Sequence, residues 1–548
     1  MIVTAWRATS LAQGTPPGYC AGLMLYRSFV TVGGLTMVSR ILGFARDILI
    51  AAALGSGAIA DAFFVAFRFP NLFRRLFAEG AFNAAFVPLF AKRLQGEGAD
   101  AAKTFAEEAM SVLLITLLAF SAICMLAMPW LMLILAPGFV ADPDKYDLAV
   151  LLTQIAFPYL LCMSLVALLS GILNSMHRYW VAAAAPILLN IVLIAAISLA
   201  IALGYSQKPG AGIILAIGVF IAGIAQTILL WVAVRRAGMR LSLRRPRLTP
   251  GVKRLIGLGI PGLISGGITQ INIVVGTVIA SMQAGAVSYL YYADRLYQLP
   301  LGIVGVAIGV VLLPDLSRRL QAGDHRAAMD SQNRSLEFGL MLTLPAAVAL
   351  AVAAEPIIRV LFERGAFSPS DTAATAPALA AFACGLPGFV LIKVFQPAFF
   401  AREDTKTPMR YAAFNMIINV AGSLALFYAF AQMGYHPHVG IALATSLAGW
   451  INALLLWATL SRAGNFQADR RLLRNLPLII LASIIMGAAV WFALGPLAPY
   501  FSAANPIYLQ LSALAGLVGL GAVVFFGTVL LTGVLSPSQF VRKLRRAS

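Results

Sequence analysis

The chain has 548 residues, of which 60% are hydrophobic and 11% are charged, and its mean hydropathy is +0.88. Soluble domains contain about 25% charged residues, so a chain this long and this poor in charge cannot cover a water-facing surface. The composition therefore excludes a soluble globular protein and predicts an all-α integral membrane protein.

Fourteen apolar segments are long enough to cross a bilayer, which takes about 20 residues. In chain order they are predicted near residues 28–52, 58–90, 108–136, 148–173, 180–204, 211–235, 252–280, 286–316, 334–361, 372–401, 408–431, 438–461, 474–497 and 507–533. Residues 1–23 lack a continuous apolar core. They are therefore interpreted as a disordered extension, or as an artefact of a start site that truly lies at Met24, and not as a cleavable signal peptide.

The formal net charge is +19, and the basic residues are concentrated in short loops. If the N-terminus is cytoplasmic, almost all loop lysines and arginines fall on the cytoplasmic side. The opposite loops hold only Lys145, Lys208 and Arg364. This alternation follows the positive-inside rule, so both termini are predicted to be cytoplasmic and nucleic-acid binding is disfavoured.

Part of the chain repeats itself. Residues 58–94 resemble residues 284–320 at an offset of 226. Two later matches share an offset of 229, namely Phe157-Pro158 with Leu386-Pro387 and Pro186–Asn190 with Asn415–Asn419. The repeat contains six segments, an even number, so both copies enter the membrane in the same orientation. It predicts two six-helix lobes related by a pseudo-two-fold axis along the membrane normal, with a substrate site between them.

The repeat divides the chain into regions. We expect an N-lobe at 24–236, a C-lobe at 252–462, two additional helices at 474–535 and a basic cytoplasmic tail at 536–548.

Several predicted segments contain ionisable residues, which are costly in a bilayer and usually face a cavity or one another. They are Arg40, Arg46 and Asp47 in segment 1; Asp61, Arg68, Arg74, Arg75 and Glu79 in segment 2; Asp294 and Arg295 in segment 8; and Lys393 in segment 10. Cations outnumber acids. Because guanidinium binds phosphate bidentately and stays charged, this surplus favours an anionic substrate over a cationic drug.

Helical geometry predicts where some of these residues lie along and around their helices. Arg40 lies twelve residues into segment 1, about 18 Å along the helix and near the bilayer centre. Arg46 lies about 120° around the helix from Arg40, so we expect segment 1 to bend at Gly43. Asp61, Arg68, Arg75 and Glu79 share one stripe of segment 2.

Other interpretations of these charges remain open. Arg74, Arg75 and Glu79 could reach the membrane surface. The pairs Arg46–Asp47 and Asp294–Arg295 could be structural, and Lys393 could be a packed lysine.

Three stretches resemble the MurJ (MviN) family: Ser39–Asp47, Asp61–Phe82, and Tyr291–Leu296 with Pro300-Leu301-Gly302. The resemblance spans roughly residues 25–535. It implies a fourteen-helix flippase of the MOP exporter superfamily that moves lipid II, the undecaprenyl-pyrophosphate-linked peptidoglycan precursor, across the bacterial inner membrane. It also implies a central cationic cavity, a groove for the lipid tail at the last two helices, and alternating access.

The resemblance also implies roles for individual residues. The substrate-binding residues would be Arg40, Arg46, Arg74, Arg295, Ser39, Asn71 and Arg75. The gating or charge-partner residues would be Asp47, Asp61, Glu79 and Asp294.

The sequence departs from the family pattern in two respects. Gln298 stands where some members have glutamate, so Arg295 is expected to depend on Asp294. Some members have a sodium site with an acidic ligand. Its candidates here include no carboxylate, so no metal is expected: Asn272, Asn415, Asn419 and Thr445.

The expected partners are lipid II and membrane lipids, with room for contacts to other cell-wall synthesis proteins and none to nucleic acid. No cofactor is expected, and the absence of a GxxxxGK[ST] motif argues against direct use of ATP. The alternatives are a flippase for another polyprenyl-phosphate-linked oligosaccharide and a non-transporting cell-wall scaffold. An enzyme is disfavoured because no catalytic constellation is visible.

Overall fold

The computed structural model describes residues 17–75 and 82–535, and every regular element in these ranges is helical. The first group of helices is α1 (Pro17–Leu54), α2 (Ala58–Phe73), α3 (Asn83–Gly96), α4 (Ala99–Leu126), α5 (Met128–Leu135), α6 (Pro143–Ala156), α7 (Tyr159–Ser175), α8 (Tyr179–Ala202) and α9 (Pro209–Arg236). The second group is α10 (Pro250–Ser281), α11 (Ala286–Gln321), α12 (His325–Val352), α13 (Ala354–Phe362), α14 (Pro369–Phe400), α15 (Lys406–Gln432) and α16 (Pro437–Arg462). The last two are α17 (Arg470–Leu497) and α18 (Ile507–Leu531).

Within the described residues, all fourteen predicted segments coincide with helices, but some are divided in two. Segments 3, 4 and 9 become α4–α5, α6–α7 and α12–α13. Each division has a proline immediately before its second helix or within the first three residues of that helix, namely Pro129, Pro158 and Pro356. Proline has no backbone N–H and cannot continue the hydrogen-bonding of a preceding turn.

Ten helical stretches of the described chain are long and apolar enough to cross a membrane. The predicted segments that are not among these ten are segments 1, 2, 7 and 8, which correspond to α1, α2–α3, α10 and α11. Helices α1, α2 and α11 carry charged residues of predicted segments 1, 2 and 8, respectively.

The beginning of the chain differs from the prediction. Helix α1 starts at Pro17, so residues 17–23 are helical and their prediction as a disordered extension is wrong. Residues 1–16, the basic tail at 536–548 and Glu79, which falls in 76–81, lie outside the described residues.

The hydrophobic core joins the two helix groups at one end only. The largest cluster of buried apolar side chains draws on α1, α2 and α6 from the first group and on α11, α14 and α16 from the second. We call this the closed end, and it contains the turn between α1 and α2. At the opposite end, called the basic end, the two groups have almost separate clusters. The groups therefore diverge toward the basic end.

Backbone contact seals the closed end. The N–H of Ala366, in the loop after α13, donates to the carbonyl of Ala52 in α1 at 2.7 Å. Gly55 and Gly365 both have a left-handed backbone, with φ of 66° and 60°. A β-carbon on either glycine would collide with the backbone of the other group. Glycine is required at both positions because the two backbone segments approach so closely.

A buried glutamate holds the linker that leaves the first group. Glu107 of α4 is fully buried. It accepts hydrogen bonds at 2.9 Å from both the backbone N–H and the hydroxyl of Ser242, and at 2.6 Å from Arg244 Nε. These bonds attach linker 237–249 to α4.

A second buried glutamate plays the same part 230 residues later. Glu337 of α12 accepts a hydrogen bond from Asn475 Nδ2 at 2.6 Å, and one of its carboxylate oxygens lies 3.2 Å from Arg471 Nε. It therefore holds the start of α17, which follows the second group. In each group, a buried glutamate therefore holds the segment that follows the group.

Removal of the Glu107 carboxylate tests this attachment. We expect Glu107→Ala to lower the free energy of unfolding by about 2 kcal/mol, because several hydrogen bonds are lost together. It should also speed trypsin cleavage within linker 237–249. Glu108→Ala is the matched control, since Glu108 accepts one bond from Thr249 at 2.8 Å and should cost about 1 kcal/mol or less. Equal cleavage rates in both variants would contradict the assignment.

Candidate functional site

One carboxylate, that of Asp47, joins the two helix groups. Its Oδ1 lies 2.7 Å from Arg46 Nη2, and its Oδ2 lies 3.1 Å from Arg295 Nε of α11. Tyr291 completes the cluster by accepting from Arg295 Nη2 at 2.8 Å and donating to Asp47 at 3.3 Å. Asp47 is 1% exposed. Two arginines from opposite groups therefore share one buried acid.

The sequence analysis missed Asn190 as part of this cluster. Its Oδ1 accepts from Arg46 Nη1 at 2.9 Å, and its Nδ2 donates to the Ser39 carbonyl at 2.8 Å. Asn190 thereby orients Arg46 and fixes α8 to α1. Its only signal was its place in the internal repeat. Helix α1 runs without a break through Gly43, which faces the Asn190 amide.

The expected dependence of Arg295 on Asp294 is wrong. Asp294 accepts a hydrogen bond from Gln298 Nε2 one turn later, whereas Arg295 pairs with Asp47 of the other group. Successive residues point about 100° apart around a helix, so Asp294 and Arg295 face different neighbours. Gln298, and not Arg295, is therefore the hydrogen-bond partner of Asp294.

Two cations near α11 have no hydrogen bond or ion pair within the described residues. Arg40 places its guanidinium against Gly302, where a β-carbon would collide with it. Lys393 of α14 is exposed, and its Cγ would lie 3.7 Å from a β-carbon at Gly305, one turn further along. Both groups therefore present cations to the same stretch of α11, on the side of the basic end.

The stripe of α2 faces the second group. Arg68 Nη1 donates to Thr277 of α10 at 2.7 Å. Nearer the basic end, Arg74 Nε donates to Asn71 Oδ1 at 3.0 Å and Arg75 is exposed. The predicted arginines are therefore distributed along the space between the groups, from Arg46 at its deepest point to Arg75.

Asp61 lies at the closed end of the stripe and is fully buried. It pairs with Lys145 Nζ at 2.7 Å and accepts from the N–H of Gly285 at 2.8 Å. The N–H and hydroxyl of Ser288 also donate to it, at 2.9 and 2.6 Å. Asp61 therefore caps the start of α11, where the helix dipole favours an anion. Lys145, which was expected in a loop, lies in α6 and is buried beside it.

A second contact across the closed end involves Ser56, in the turn between α1 and α2. Its hydroxyl donates to Asp371 of α14 at 2.5 Å, and the hydroxyl of Tyr292 donates to the Gly55 carbonyl at 2.9 Å. These bonds connect the same two helix groups that Asp61 connects.

Three of the four candidate sodium ligands bond to one another, whereas the buried Oδ1 of Asn415 has no hydrogen-bond partner within the described residues. Asn419 Nδ2 donates to Asn272 Oδ1 at 2.9 Å, and Thr445 Oγ1 donates to Asn419 Oδ1 at 3.2 Å. Among the described residues, no group of three or more His, Cys, Asp or Glu could hold a metal ion. The bond between Asn272 and Asn419 links α10 to α15.

An apolar cavity of about 260 Å³ lies between α12, α13, α17 and α18. Its lining includes Pro345, Met486, Leu517, Gly521 and Phe525. It has the position that the resemblance implies for a lipid-tail groove.

Two solved structures define the class of fold. The chain matches the inward closed conformation of the lipid II flippase MurJ with a TM-score of 0.73 at 26% identity, over 94% of this chain and 99% of that one. It also matches an inward-facing multidrug resistance MATE transporter of the MOP superfamily, with a TM-score of 0.66 at 14% identity, over 80% and 98%. The fold is therefore shared with both of these membrane transporters.

Sequence comparison gives the family. The family model for the lipid II flippase MurJ matches residues 50–509. A probable lipid II flippase MurJ of Rhizobium meliloti (strain 1021) is 49% identical over 527 residues, which cover 96% of this chain and 97% of that protein. The chain belongs to the MurJ family of lipid II flippases.

A double-mutant cycle tests the shared carboxylate. We expect Asp47→Asn and Arg295→Gln each to lower the free energy of unfolding in mixed micelles, because each leaves a buried charge without its partner. The double variant should be more stable than the sum predicts, by about 1–3 kcal/mol. The control cycle pairs Asp294→Asn with Arg295→Gln and should show a smaller coupling, because these two neighbours form no hydrogen bond or ion pair with each other. Coupling in the control cycle alone would reverse the assignment.

Proposed function

We propose that the protein moves lipid II from the cytoplasmic to the periplasmic leaflet of the bacterial inner membrane by alternating access. The observation that carries this proposal is the surplus of arginine between the two helix groups. Asp47 neutralises part of that charge, while Arg40 and Lys393 have no partner among the described residues. A pyrophosphate is the part of lipid II that such cations would bind.

The proposed topology has fourteen spans and both termini in the cytoplasm. Linker 237–249 at the basic end is rich in exposed arginine, which favours the cytoplasmic side. The closed end then faces the periplasm. The space between the groups would be open to the cytoplasm, where lipid II is made.

The proposed lobes are residues 24–236 and 252–462, and two pairs of equivalent contacts support their relation. Asn190 bonds the first helix of its group, and Asn419 does so 229 residues later. Glu107 and Glu337 hold the outgoing linkers of their groups at an offset of 230. These offsets lie within one residue of the offset of 229 that the later sequence matches share.

The proposed transport cycle begins with a head group that enters from the basic end. Its phosphates would pair first with Arg40 and then with Arg46 and Arg295, in competition with Asp47. Opening toward the periplasm would require the contacts of Asp61 and Ser56 with the second group to break. After release, Asp47 would recapture the two arginines. A membrane potential could bias such a charged step by about 2.3 kcal/mol per charge per 100 mV.

The lipid tail would occupy the apolar cavity beside α17 and α18. Its lining is apolar in character, with Met486, Leu517 and Phe525 among its residues. The tail could then remain in a hydrophobic environment while the head group crosses between the lobes.

The cavity charges leave the substrate's sugar chain undetermined, so another polyprenyl-phosphate-linked oligosaccharide is the second candidate. A cell-wall scaffold that does not transport, or contacts with other cell-wall synthesis proteins, would not require unpartnered cations between the lobes.

Replacement of Arg40 tests the proposal. In cells depleted of the native protein, we expect Arg40→Ala to abolish growth and lipid II export at normal expression, because a cation deep in the cavity is lost. Arg462→Ala is the matched control, since Arg462 is exposed at the end of α16 and should retain both. Export by the Arg40→Ala variant would refute the cavity role. Lysis on depletion indicates peptidoglycan, whereas loss of surface polysaccharide alone indicates the second candidate.

A further inference from the structure

A second cavity lies within the first helix group, beside Arg40. It has a volume of about 430 Å³ and lies between α1 and the α7–α8 connection. This volume is within the range of about 300–1,000 Å³ that is typical of ligand pockets. The polar residues that line it are Thr36, Ser39, Arg40, Asn174 and Tyr179.

The polar side chains of this cavity have unused hydrogen-bonding capacity. The side-chain amide of Asn174 forms no hydrogen bond within the described residues, although it has two donors and an acceptor. The hydroxyl of Tyr179 lies 3.0 Å from His177 Nδ1, which fixes its position and leaves a further bond available. Val32, Ala182, Ala183 and Pro186 supply an apolar wall.

The cavity adjoins the predicted phosphate site without being part of it. Arg40 lines the cavity, and its guanidinium also reaches α11 at Gly302. A group held in the cavity would therefore be next to a phosphate held by Arg40. In lipid II the unit bonded directly to the pyrophosphate is an N-acetylated sugar.

We propose that this cavity binds the uncharged, phosphate-proximal N-acetylated sugar of the substrate, with Asn174 and Tyr179 as specificity-determining residues. The inference rests on the proposed function. Neutral amide and hydroxyl groups suit sugar hydroxyls and an acetamide, and the alanine and proline wall suits the acetyl methyl group. The stem peptide is a poorer match. It carries several charges, whereas the lining has a single cation and, among its nine residues, no carboxylate.

The test measures the binding of three lipids to protein in nanodiscs of one neutral phospholipid. The probes are lipid II, its analogue in which an uncharged amide replaces the stem peptide, and undecaprenyl pyrophosphate. Asn174→Ala and Tyr179→Phe should each weaken the two sugar-bearing lipids by about 3- to 10-fold, the effect of one hydrogen bond. Both variants should leave undecaprenyl pyrophosphate unchanged. Arg40→Ala should weaken all three.

The controls are Asn505→Ala and Tyr508→Phe, which lie outside the cavity and should not affect any of the three lipids. Thermal unfolding of every variant identifies those that fail to fold. Equal weakening of undecaprenyl pyrophosphate, or an effect that disappears without the stem peptide, would overturn the inference. If wild-type protein binds none of the three, the proposed function itself fails, and this outcome is distinct from the others.

Discussion

Asp47 is buried between Arg46 of its own group and Arg295 of the other. Removal of these charges from water carries a large desolvation penalty, which only close pairing and additional hydrogen bonds offset. Tyr291 and Asn190 provide those bonds. The carboxylate therefore has two consequences. It permits arginines to exist inside the membrane, and it ties α1 to α11 at the point from which the two helix groups diverge.

The same arrangement makes the tie sensitive to an anion. A pyrophosphate offers arginine more oxygen acceptors than one carboxylate does, so it can compete for Arg46 and Arg295. Substrate binding would then loosen a contact between the lobes. By thermodynamic linkage, separation of the lobes would in turn alter the affinity for substrate. The remaining closed-end contacts, through Asp61 and Ser56, are made by other residues and must break separately. This separation of binding and gating suits a cycle in which the head group is first captured and then released on the other side.

Much of this architecture could be predicted from the sequence, because it depends on one-dimensional patterns. Apolar length gave the helical segments, the even repeat suggested two related groups, and the charge pattern pointed to α1, α2 and α11. Asp61 and Arg68 share one face of α2, as their spacing predicts, and that face contacts the second group.

Partners on other helices could not be predicted in the same way. Periodicity states which face of a helix a side chain occupies, but it does not state which distant residue lies opposite. Asn190 is 144 residues from Arg46, and Arg295 was assigned to its neighbour Asp294 when its partner is Asp47. Lys145 was placed in a loop because nothing local indicates that it is buried against Asp61. Proline positions explain the helix breaks only after the packing of the shorter pieces is known.

The most direct test of the exchange between Asp47 and substrate is the affinity of Asp47→Asn for undecaprenyl pyrophosphate. If Asp47 competes with the phosphates for Arg46 and Arg295, the folded variant should bind this lipid several-fold more tightly than the wild type. It should nevertheless export less lipid II, because the arginines are no longer recaptured. Equal or weaker binding by a folded Asp47→Asn variant would contradict the account.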